Sequence, residues 1–131
     1  MDTREIADAM CALLDRTSRE KMLGISEFVY GEDMKVYTRV QNRFLPLIDG
    51  KRYVLTIAAI DVYDEAQMGK GRMTELLAHL EANCRGRVDG IVVECVNNPR
   101  LAAYLRRRGF EDTDLGAFER ELSPTLFKAL G

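Results

Sequence analysis

Long apolar runs, paired cysteines, histidine and linker-like segments are all scarce in this chain of 131 residues. No apolar run approaches the ~18 residues of a membrane-spanning helix, so no membrane partner is expected. The three cysteines, Cys11, Cys84 and Cys95, are odd in number and widely spaced. That pattern is neither a disulfide framework nor a zinc spacing, so no metal is expected, and it fits a reducing compartment. There is no internal repeat and no Pro/Gly/Ser-rich linker, so residues 1–131 read as one domain. The opening MDTREIADAM carries acids where an export signal needs a basic stretch, which predicts a cytoplasmic protein. Nineteen basic against twenty-one acidic residues give a net charge of −2, which sets the chain as a whole against nucleic acid and anionic lipid. The one histidine, His79, is expected on a helix surface.

What is present is a globular composition, 47% hydrophobic and 31% charged. Ile6, Ala9, Met10, Leu13 and Leu14 recur at helical spacing, with Asp2 or Thr3 to cap the start and Gly24 to stop it. Met34 to Ile48 and Tyr53 to Tyr63 read as the arms of a β-hairpin turned at Asp49-Gly50, with Pro46 marking a bulge or an edge. In the second arm Ala58, Ile60 and Val62 alternate with Ala59, Asp61 and Tyr63. Met73, Leu76, Leu77, Leu80 and Cys84 line one helix face up to Gly86. Gly90 to Val96 reads as a strand buried on both faces, Pro99 to Arg108 as a short helix, and Phe110 to Leu122 as two last strands around Asp114–Gly116. The predicted fold class is α/β (α+β): a mixed, mostly antiparallel sheet with one parallel β-α-β crossover and flanking helices.

The chemically informative segment is the strand-to-helix junction from Val62 to Met73, which contains Gly69-Lys70-Gly71. Glycine admits close approach of a ligand to the backbone, and the first-turn N–H groups of a helix lack intrahelical partners. Together they suit a phosphate or pyrophosphate, with Lys70 and Arg72 adding full charges. A flexible turn into a helix is the alternative. No Walker A spacing is present. A dinucleotide fingerprint lacks its third glycine, because Thr74 stands there, and the chain beyond Val96 is too short for a doubly wound sheet.

After the buried strand come Asn97-Asn98-Pro99-Arg100, a short helix and Gly109-Phe110. From about Leu55 to Phe110 the chain resembles the GNAT superfamily of N-acetyltransferases. That family has a strand, a loop of pattern Gln/Arg-x-x-Gly-x-Gly/Ala, a helix, a strand, an Asn, a short helix and a Gly-Phe pair. In general texture it is also similar to small acetyltransferase-like proteins of tailed phages, for which the compartment would be the host cytoplasm. The resemblance implies acetyl-CoA, or another acyl-CoA, in a V-shaped opening between the strand Ile57–Val62 and the strand Ile91–Val96. It implies a pantetheine arm on the backbone of Ile60 to Val62 and beside Asn98. The pyrophosphate would lie along Gln67, Met68, Gly69, Lys70, Gly71, Arg72 and Met73.

The chain departs from the family pattern in three places. Aligned by Leu76-Leu77, Met68 falls on the family's Gln/Arg, with Gln67 one residue early, and bulky Met73 falls on its final small residue. Leu105 falls on the usual general-acid tyrosine, with Tyr104 one position earlier and about 100° around the helix. The opening strand and helix pair is abbreviated to one helix. Direct acyl transfer needs a base for the acceptor ammonium and an acid for the leaving thiolate. Asp61 and Glu94 are the candidate bases, and Tyr104 is the candidate acid. The alternatives are a Glu94–Arg ion pair and a Tyr104 that is an ordinary amphipathic core residue. Arg100 with Arg106-Arg107-Arg108 could steer a polyanion, or form a solvated helix face, which is the plainer reading. The expected function is acetyl transfer to an amine, of a small molecule or a protein, by a monomer or homodimer. The alternative is an interaction protein on the same fold that binds and modulates a partner.

Overall fold

A computed structural model describes residues 2–21, 23–31, 34–45, 50–62, 71–94, 96, 99–113 and 124–130, with Asp61 and Val62 described in their backbone alone. Asp2 caps α1 (Thr3–Cys11): its carboxylate accepts the Glu5 N–H at 2.8 Å, and Glu5 accepts the Asp2 N–H at 3.1 Å. The helix tightens into a 3₁₀ turn, Ala12–Asp15, and ends there rather than at Gly24. Leu13 and Leu14 are its last buried apolar positions, and the polar run from Asp15 to Lys21 offers no face to bury. A strand not expected from the sequence follows, β1 (Ile25–Tyr30). It pairs antiparallel with β2 (Met34–Leu45), which pairs antiparallel with β3 (Gly50–Val62). The expected Pro46 irregularity and Asp49 lie outside the described residues.

The chain continues through α2 (Arg72–Cys84), β4 (Gly90–Val93), α3 (Pro99–Arg107), β5 (Glu111–Asp112) and β6 (Leu126–Ala129). The strands form one sheet in the order β1-β2-β3-β4-β6-β5, in which β3–β4 is parallel and the other pairs are antiparallel. This is the mixed sheet with a parallel β-α-β crossover that the sequence predicts. The closing strands sit differently from expectation. β6 begins four residues beyond Leu122, where Leu126 and Phe127 supply one apolar side chain to each face of the sheet. The expected turn at Asp114–Gly116 lies outside the described residues. No helix among the described residues is long and apolar enough to cross a membrane.

Strand alternation assigns the two faces. Met34, Val36, Val40, Tyr53, Leu55, Ile57, Ile91, Val93 and Leu126 point toward the helices and share one core with α1, α2 and α3. Leu45, Val54, Val92 and Phe127 form a small cluster on the opposite face. Cys11 and Cys84 are free thiols at the α1–α2 contact, with Sγ atoms 3.3 Å apart. The contact with Cys11 and burial together push the Cys84 thiol above its ordinary range. Cys95 lies outside the described residues.

Gly90 lets β4 approach β6. A Cβ there would collide with the Phe127 ring and the Lys128 carbonyl, neither of which can swing away cheaply. Gly90→Ala should therefore destabilise the fold by about 1–3 kcal/mol. A urea titration should show a lower midpoint with an unchanged slope.

Candidate functional site

The parallel pair β3–β4 is short. Val54 to Ile57 register with Gly90 to Val93, the Glu94 N–H donates one further bond to the Ile57 carbonyl at 2.9 Å, and pairing stops. Beyond it the Val96 N–H donates to the Pro124 carbonyl at 2.9 Å, so the chain after β4 stays with the β6 side. β3 runs on to Val62, paired with β2 alone among the described residues. The sheet thus forks in its middle after Ile57.

A β-bulge sits at the fork. Thr38 is opposite Ile57 and Tyr37 is opposite Ala59, leaving Ala58 as the extra residue. The bulge resets which backbone groups face which neighbour. Met34 presents its carbonyl to β1, where it accepts the Gly31 N–H at 2.7 Å. By alternation Val36 also faces β1, and Lys35 and Tyr37 face β3. Val36–Ile60 and Met34–Val62 are then pairs without hydrogen bonds to β2. The N–H and C=O groups of Ile60 and Val62 therefore point into the fork, where no strand meets them among the described residues.

Helix α2 starts at the same end of the sheet. Gly71 is its N-cap at φ +79°, in the left-handed region that glycine favours, and no side chain among the described residues caps the helix. The Glu75 N–H makes the first intrahelical bond, to the Gly71 carbonyl at 2.9 Å, which leaves the N–H groups of Arg72, Met73 and Thr74 without an intrahelical acceptor. Met73 is half-buried against the core. The Tyr104 hydroxyl reaches this first turn: it lies 2.8 Å from Thr74 Oγ1 and accepts from Arg108 Nη1 at 3.3 Å. Leu105, at the position the family resemblance assigns to an acid, is fully buried.

Glu94 points to the other face of the sheet. Its carboxylate accepts from Arg43 Nη1 at 2.5 Å and from Arg39 Nη1 at 3.2 Å, two charge-assisted bonds on a half-buried group. The ion pair weighed as the alternative is therefore present. Arg43 stands directly opposite Arg52 across β2–β3, a like-charge pair that Glu94 offsets. Glu94 and Tyr104 are thus separated by the sheet, with the fork between their two faces. Asp61 pairs with Lys35 in the backbone register, and its side chain lies outside the described residues, as does that of Val62. Gln67, Met68, Gly69, Lys70 and Asn98 lie outside them altogether. His79 is half-buried. The arginine run is not a uniform solvated face: Arg106 pairs with Asp112 at 2.9 Å and Arg108 with Glu81 at 2.5 Å, while Arg107 is exposed.

Two features escaped the sequence reading. The bulge has a sequence signal, because the inward set changes parity from Tyr53, Leu55, Ile57 to Ile60 at the Ala58-Ala59 pair. Arg39 and Arg43, four residues apart on a strand, share the outward face with Lys35. No protein-family model matches this chain, and no curated protein matches it.

Proposed function

We propose that the chain is an acyl-CoA-dependent N-acyltransferase of GNAT type, moving an acetyl group directly to an amine acceptor. The observation that carries this reading is the fork. Among the described residues no strand meets the amides of Ile60 and Val62 and no side chain caps the helix that starts at Gly71, and both features lie at the carboxyl ends of the parallel strands. This donor set fits the group. An arm built of amides pairs with a strand edge, and a pyrophosphate suits first-turn N–H groups that lack an intrahelical acceptor.

Acetyl-CoA, when bound, supplies an acetyl group activated as a thioester. Ile60 and Val62 would hold its arm, Arg72, Met73 and Thr74 would offer N–H groups to its pyrophosphate, and strand N–H groups at the fork would polarise the acyl carbonyl. Transfer forms one C–N bond and breaks one C–S bond, while the amine loses a proton and the sulfur gains one. Asp61 is the proposed base and Tyr104 the proposed acid. Glu94, already holding two guanidinium groups, is proposed to keep Arg39 and Arg43 at the outer mouth of the fork.

A second reading is favoured by the engagement of Glu94 and Tyr104 in other bonds: the same fold binding and modulating a partner protein. Thermal unfolding with acetyl-CoA, and with adenosine 3′,5′-bisphosphate as control, separates the two. Ligand at a hundred times its dissociation constant adds about 2.7 kcal/mol, which raises the midpoint of a chain this size by roughly 8–14 °C. No rise at millimolar acetyl-CoA would overturn the transferase reading and leave the interaction protein.

A further inference from the structure

The sheet face turned away from the helices carries a second feature on the side opposite α2, and this feature borders the outer mouth of the fork through Arg39 and Arg43. On β1, Phe28 and Tyr30 project from this face and are 46% and 61% exposed. On β2, Tyr37 joins them: its ring centroid lies 4.5 Å from that of Phe28, and Phe28 stacks on Tyr30 at 6.0 Å. Tyr37 is fixed by donating its hydroxyl to Ser26 Oγ at 2.9 Å. Cations border the rings. Lys35 Nζ is 5.3 Å from the Phe28 centroid, Arg39 Cζ is 5.3 Å from that of Tyr37, and Arg43 continues the row. Arg39 and Arg43 share the Glu94 carboxylate, which offsets one of their charges, and Arg52 opposite Arg43 adds another cation. Lys35, Arg39 and Arg43 recur every fourth residue, about 13 Å apart along β2. No helix among the described residues packs on these rings.

The geometry points to this face as a binding platform for single-stranded nucleic acid, with bases stacked on Phe28, Tyr30 and Tyr37 and phosphates drawn to Lys35, Arg39 and Arg43. Charge selects the occupant. A polyanion with a π-face on every unit meets both halves of the surface, the rings and the cations. A second copy of the chain would set the same cation row against itself, because a two-fold contact is self-complementary. Three rings are also far short of the ~800 Å² per partner of a standard protein interface. The whole-chain charge of −2 does not bear on the matter, because the attraction is local to one face.

The test is fluorescence polarisation of a labelled oligothymidylate titrated with the intact chain. Binding should be saturable at low salt and weaken between about 50 and 200 mM salt with a log–log slope of about −2, as three phosphate contacts require. The double substitution Phe28→Ala with Tyr30→Ala should weaken binding at least tenfold and leave the salt slope unchanged. Lys35→Gln should instead flatten the slope by about 0.7. Both variants alter exposed or half-exposed side chains, and an unchanged unfolding midpoint confirms that they fold. Any one of four results overturns the proposal: no polarisation change at low salt, equal binding by the ring variant, preference for duplex over single strand, or binding only to vesicles containing phosphatidylserine. Self-association in sedimentation without oligonucleotide binding would overturn it in favour of a second copy.

Discussion

Ile60→Pro should lower acetyl-CoA affinity about a hundredfold or more while the chain stays folded. The direction in which one N–H points decides both effects. Proline lacks that hydrogen, so in a central strand it normally costs a ladder bond. Ile60 is opposite Val36 in a pair that exchanges no hydrogen bonds, so its N–H is turned into the fork, and proline there removes no rung of the β2–β3 ladder. The cost to the fold is the packing of one half-buried side chain, about 1 kcal/mol. The cost to the ligand is larger. A carbonyl of the bound arm is left facing a ring carbon, which forfeits about 1–3 kcal/mol for the unpaired group, and the ring occupies space the arm needs. Ala59→Pro is the matching control. The Ala59 N–H faces β2 opposite Tyr37, so proline there breaks the ladder and should destabilise the chain by about 3 kcal/mol. Isothermal titration with acetyl-CoA and a thermal melt of each variant read the two effects. Undiminished affinity in a folded Ile60→Pro chain would remove the fork from the binding site.

The same strand shows what a sequence can and cannot disclose. The parallel crossover is legible because Gly90 to Val93 is apolar at every position, as a doubly buried strand must be, and because the Leu76, Leu77, Leu80, Cys84 stripe before it has helical period. The cap at Asp2 is legible for the same reason, since one local hydrogen-bond pattern decides it. β1 is not. Its residues Ser26, Glu27, Phe28 and Tyr30 lie exposed at the sheet edge and carry no inward repeat strong enough to register, so pairing with β2 decides their conformation. The site divides in the same way. The glycine and the first-turn N–H groups of α2 that lack intrahelical acceptors follow from local sequence, whereas the fork is a relation between β3, β4 and β6 that no single segment contains. Glu94 illustrates the limit: an acid ending an apolar strand demands a partner, but only the sheet shows that Arg39 and Arg43, more than fifty residues earlier, supply it.

Glu81 makes the same point with a larger energy. It belongs to α2, is only 7% exposed, and lies where α3 and β6 converge. Its carboxylate accepts from Arg108 Nη2 at 2.5 Å and Nε at 3.2 Å and is paired with Lys128. Burial alone would raise its pKa. The hydrogen bonds and charges of Lys128 and Arg108 outweigh burial and hold it below the ordinary value of 4.5. A lowered carboxyl pKa stabilises the fold above the unfolded value, and that contribution disappears as pH falls through the folded one. Replacing both cations, Arg108→Met with Lys128→Met, leaves the carboxylate buried and unpaired. The loss should be about 3–5 kcal/mol at neutral pH, or roughly 10–20 °C in the unfolding midpoint. The pH dependence should also reverse. With its partners gone, burial raises the Glu81 pKa above the unfolded value, the native state then binds the extra proton, and acidification from pH 7 toward 5 stabilises the variant. The wild-type chain gains nothing from Glu81 over that range. Adding Glu81→Gln to the double variant should abolish the rise, because the amide has no proton to take up. Melts of the three chains between pH 7 and 5 decide it: parallel profiles would show that Arg108 and Lys128 contribute packing alone, and an upturn confined to the double variant would identify the buried charge as what they hold in place.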